Sequence, residues 1–205
     1  NGHPSFKDVL KTISNFYSEN PKETEDRSAK ITQYLNETSH ETSLVVLEKQ
    51  ISDQNLTIEK IVKTLIPTYK ILLENLEIDS DKIHGGYGSS PKFPQPSKIS
   101  TMLLSKNIHN RAHAIFTLDK IRCGGIMDQI GGGISRYSVD AKWLIPHFEK
   151  MLYDNAQMIT LFAIGSNLLK ENNPNLSNEF SKTSQNIFNY LERDLKCTKS
   201  DLYFS

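Results

Sequence analysis

Apolar residues recur at helical spacing along most of the chain. Phe6, Val9, Leu10, Ile13, Phe16 and Tyr17 follow a three–four rhythm that predicts an amphipathic helix over residues 4–17. Pro21 closes that segment and suits the start of a second helix over 22–36, where a missing N–H costs nothing. Ile58, Ile61, Val62, Leu65, Ile66, Tyr69, Leu72, Leu73 and Leu76 form a continuous stripe. They predict a long helix over 55–79, and Pro67 is expected to kink it or to split off its first turns. Two further helices are read at 97–105 and about 110–122. A helix over 146–170 would start with Pro146 at its first position, and it places Phe148, Met151, Leu152, Ala156, Met158, Ile159, Phe162 and Ala163 on one half of the wheel. His147, Lys150, Asp154 and Gln157 fall on the other half, with Glu149 and Tyr153 beside them. A last helix, capped by Ser177 or Asn178 after a loop over 172–178, runs to about Leu195 with Phe180, Ile187, Phe188, Tyr190 and Leu191 inward.

The intervening segments break this rhythm. Residues 37–56 read as a connector, in which Ser43-Leu-Val-Val-Leu47 fits a strand or a piece of helix. Residues 83–96 carry Gly-Gly, Ser-Pro, Phe-Pro and Gln-Pro pairs and predict a stiff loop from which Tyr87, Lys92 and Phe93 protrude. Such a loop serves equally as a binding element or as packing over helix ends. Glycines at 124–125 and 131–133 mark tight turns, Ile134–Val139 alternates as a short strand, and Leu202 opens another at the end.

Candidate chemistry concentrates in residues 124–157: Asp128, Arg136, Tyr137, Asp140, Trp143, His147, Glu149, Lys150, Tyr153 and Asp154. Ile145 is a poor N-cap, so first-turn amides of a helix from Pro146 would be free for an anionic or hydroxyl-rich ligand. In that first turn the helix dipole would disfavour a protonated His147. The polar half of the wheel fits either a solvated face or a cavity wall. His109 and His113 share a helix face, but no third ligand stands in a metal-binding pattern, and no metal or cofactor is expected.

Charge narrows the partners. Lys plus Arg and Asp plus Glu are each 24 in 205 residues, a balance that gives no electrostatic reason to expect nucleic acid or an anionic membrane. No apolar run reaches spanning length and no signal pattern opens the chain. Cys123 and Cys197 are too far apart in sequence for a Cys-x-x-Cys dithiol, and a reducing cytoplasm fits them best. The chain begins at Asn1 without Met, and a piece of a longer protein is expected.

Gly-Gly-Ile-Met-Asp-Gln-Ile-Gly-Gly-Gly at 124–133, Arg-Tyr-Ser-Val-Asp at 136–140, Pro-His-Phe-Glu-Lys-Met-Leu-Tyr-Asp-Asn-Ala-Gln at 146–157 and Gly-Gly-Tyr-Gly-Ser-Ser-Pro-Lys-Phe-Pro at 85–94 resemble the spermatogenesis-associated protein 20 family. The resemblance implies an N-terminal thioredoxin-like domain joined to an (α/α)6 barrel, similar to N-acylglucosamine 2-epimerases and six-hairpin glycosidases. On that reading the fold is mainly α. Residues 1–36 are the tail of the thioredoxin-like domain, including its C-terminal helix, and 37–56 are the connector. Residues 57–205 are half of a toroid of helical hairpins, with short strands and turns at one end. The helical hairpin at 97–122 looks short beside the family pattern, and Ile134-Ser135 stand where many relatives carry an aromatic followed by His or a small residue.

The resemblance makes a carbohydrate the expected partner, with the thioredoxin-like domain as a partner in cis. His147, Asp128, Glu149 and Asp154 are the catalytic candidates for an epimerase, isomerase or glycosidase. Tyr87, Lys92, Phe93, Arg136, Tyr137, Asp140, Trp143, Lys150 and Tyr153 are the substrate-binding candidates. The alternative is a non-catalytic module that binds a glycan or a protein and is attached to a redox domain. For each residue a structural role competes: Arg136 with Asp128 or Asp140 as a loop-fixing ion pair, and Trp143 as core.

Overall fold

Ser5 starts the first helix by a reciprocal capping arrangement. Its hydroxyl accepts from the Asp8 amide at 3.3 Å, and its own amide donates to the Asp8 carboxylate at 3.3 Å. The resulting α1 (Phe6–Glu19) packs on α2 (Pro21–His40). The computed structural model describes residues 4–40 and 57–204, and most of the connector read at 37–56 lies outside them. The chain forms two units, Asn1–Thr68 and Tyr69–Ser205. Within the described part of the first unit the stripe of α1 stays at the surface, Phe6, Leu10 and Ile13 being exposed. Helix α3 (Ile58–Asp79) keeps Pro67 inside it and is not split there.

In the second unit, α4 (Pro96–Leu103) packs on α5 (Ile108–Cys123), and α6 (Leu152–Leu169) packs on α7 (Pro174–Tyr190) and on α4. Ile99, Met102 and Leu103 of α4, Leu118 and Ile121 of α5, Met158 and Phe162 of α6, and Phe180 and Ile187 of α7 make the core. Burying each such side chain stabilises the fold by roughly 1.5–3 kcal/mol. Gly165 permits the close approach of α7: a Cβ there would lie 2.9 Å from the Phe180 ring. Phe180 itself meets Phe162 edge-on at 5.3 Å. The predicted mainly α architecture of paired helices with short strands and turns is therefore what forms.

Several expectations are corrected. Pro146 does not open a helix: Pro146–His147 is strand β2, paired antiparallel with β1 (Tyr137–Ser138), and α6 begins only at Leu152. Phe148, placed on the buried half of the wheel, is exposed. The strand read over Ile134–Val139 shrinks to Tyr137–Ser138, with an isolated bridge between Ile134 and Met127. Pro174 lies in the first turn of α7, capped by Asn173 whose side chain accepts from the Leu176 amide, so the cap is not Ser177 or Asn178. After Tyr190 the last turn widens into a π-helix over Leu191–Leu195, and Phe188 is half-exposed rather than inward.

Candidate functional site

The β1–β2 hairpin is built by Asp140. Its carboxylate accepts from the amides of Lys142 at 2.6 Å, Leu144 at 3.2 Å and Ile145 at 2.6 Å, and from the Ser138 hydroxyl at 3.1 Å. Burial pushes its pKa up, but these donors outweigh it and hold the carboxyl below its ordinary value. The loop at 92 joins as a third extended segment, the Lys92 and Ser138 backbones exchanging two hydrogen bonds of 2.8 Å. This register sets three rings in a row. Tyr137 lies opposite His147 and stacks on it at 4.5 Å and 14°, while Phe93, next to Lys92, meets the other side of the group at 4.8 Å from Tyr137.

One side of the row is polar. The Arg136 amide donates to the Glu149 carbonyl at 2.7 Å, and its guanidinium donates to the Glu149 carboxylate at 3.1 Å. His147 Nδ1 is 3.9 Å from the same carboxylate. Arg136 also lies near the Tyr153 side chain, and its charge reaches Asp154. Tyr153 and Asp154 stand in the first turn of α6, whose N-cap Met151 gives no side-chain acceptor. The uncapped helix start inferred at Pro146 thus exists six residues later. Asp154 is 8% exposed, and burial raises its pKa while the charge of Arg136 partly opposes the rise. A carboxyl in that state is able to carry a proton, and the aromatic row adds apolar ring surface to the hairpin.

Other candidates serve the scaffold. Asp128 accepts from the amides of Ile130 at 3.0 Å and Gly131 at 2.8 Å, closing the glycine turn, and it binds Lys150 at 2.8 Å. The Lys150 hydrogen bond, with these amides, holds Asp128 down at about 2. Lys150 also donates to Gly132 O at 2.7 Å and lies over the Tyr190 ring. Tyr87 and Lys92 do not protrude, since both are buried; Phe93 alone of that trio is exposed. The Lys92 ammonium meets the Asp81 carboxylate, Gly85 O at 2.9 Å and Ala141 O at 2.9 Å. Trp143 is core: its indole N–H donates to His84 O at 2.9 Å, and its backbone sits at φ +68°. That left-handed conformation costs on the order of 1–3 kcal/mol and needs tight surroundings to persist.

Sequence reasoning missed two residues that position the site. Asn155 is fully buried, accepts from the Ile134 amide at 2.7 Å, and donates to Ile134 O at 3.0 Å and to Met151 O at 2.9 Å. It thereby fixes the start of α6 against the glycine turn. Asp81 is the partner of Lys92, and an acid placed to accept amides two and three residues on was its only local signal. His113 and His109 do not act together: His113 is buried with Nε2 3.2 Å from Gly86 O, and His109 is exposed. Among the described residues no group of three His, Cys, Asp or Glu is placed to hold a metal, and no helix is long and apolar enough to cross a membrane.

No family model matches the chain. Individual relatives do. It is 31% identical to the human spermatogenesis-associated protein 20 over 138 residues, which cover 63% of this chain and 17% of that protein. It is 33% identical to the rat protein of the same name over the same shares. With the mouse protein it is 37% identical over 97 residues, 43% of this chain and 12% of the relative. The matched region thus spans less than a fifth of the length of these relatives.

Proposed function

We propose, for a chain that belongs to the spermatogenesis-associated protein 20 family, that its second unit is the carbohydrate-binding or carbohydrate-modifying part of a larger (α/α)6 barrel. The observation that carries this is the row Phe93–Tyr137–His147, edged by the Arg136–Glu149 pair, whose guanidinium charge reaches Tyr153 and Asp154. Aromatic faces suit the C–H surfaces of a sugar ring, and paired donors and acceptors suit its hydroxyls. In an epimerase, isomerase or glycosidase built on this arrangement, Asp154 is the group that donates a proton and His147 the group that accepts one, with the Glu149 carboxylate 3.9 Å from its Nδ1.

A second reading has its own support. Asp128, Asp140 and Glu149 are each engaged by protein partners, which favours a non-catalytic glycan-binding module over a hydrolase with two free carboxylates. Thermal shift of the intact protein against mono- and disaccharides, with Tyr137→Ala and His147→Ala alongside, tests the shared claim. A sugar that raises the midpoint of the wild type and of neither variant supports a carbohydrate site here. No shift with any sugar counts against both readings. Turnover of a bound sugar then separates enzyme from binding module.

A further inference from the structure

We draw no further inference here: the strongest candidate, the exposed apolar stripe of Phe6, Leu10, Ile13 and Tyr17 along α1, is a helix face for which nothing in the structure shows what covers it.

Discussion

Lys92→Met gives the sharpest test of how the site is held. The ammonium of Lys92 is fully buried and joins three separate segments: Asp81 and Gly85 in one turn, Ala141 in the β1–β2 hairpin, and its own strand beside Phe93. Methionine fills similar volume but offers no donor. The change leaves two carbonyls and one carboxylate short of a partner, and breaking a buried pair on one side costs roughly 3–5 kcal/mol. Asp81 keeps the amides of Ile83 and His84 at 2.9 Å each, which places the expected loss toward the lower end. A loss near 3 kcal/mol lowers the melting midpoint of a domain of this size by roughly 10 °C. Acid titration adds a second readout. Burial pushes Asp81 up, but the Lys92 hydrogen bond and the two amides prevail and hold it at about 2, against an ordinary 3.8. A depressed carboxyl pKa stabilises the fold at pH values above 3.8, and that contribution is lost as pH falls from 3.8 through 2. In Lys92→Met this acid-labile part should shrink, so that acidification costs the variant less than the wild type. Thermal melts and hydrogen exchange of the peptides spanning 81–92 and 138–145 measure both effects in the intact protein. A midpoint within about 3 °C of wild type, together with unchanged exchange and a parallel acid limb, would refute the reasoning.

Other predictions follow from single contacts. Gly86→Ala places a Cβ 2.5 Å from the Trp143 ring at φ +80°, and it should destabilise by about 2–4 kcal/mol in chemical unfolding. Asn155→Leu removes three buried hydrogen bonds and should cost about 3 kcal/mol or more, with faster amide exchange at Ile134 and in the first turn of α6. Burial lowers the His113 pKa below 6.5 despite its bond to Gly86 O, with the Lys82 and Lys92 charges also lowering it and that of Asp81 opposing them. Stability contributed by the neutral imidazole is complete above pH 6.5 and declines as pH falls toward its folded value. His113→Gln should flatten that limb in pH-dependent melts.

Helices were legible where apolar spacing was continuous, as in α1 and α3. They were misread where proline punctuated them. Pro146 fits a first helical turn and an edge strand equally well, and only its pairing with Ser138, eight residues earlier, selects the strand. Pro174 shows the converse: the Asn173 cap before it was a sufficient local signal that α7 starts there. The candidate site was legible as a cluster, but its division into surface and scaffold was not. Lys92 reads as a protruding cation because its partners Asp81 and Ala141 lie 11 and 49 positions away, and no local pattern announces them. Arg136 and Glu149 lie 13 residues apart, and folding of the hairpin is what brings them together. Asp154 was read two turns into a helix from Pro146, whereas it stands in the first turn of a helix that starts six residues later.

A crystal structure of the intact protein with the tightest-binding sugar is the most direct test of the central claim. The account predicts a sugar ring lying against the Phe93–Tyr137–His147 row, beside the Arg136–Glu149 pair. A sugar bound elsewhere, with these rings unoccupied, would contradict it.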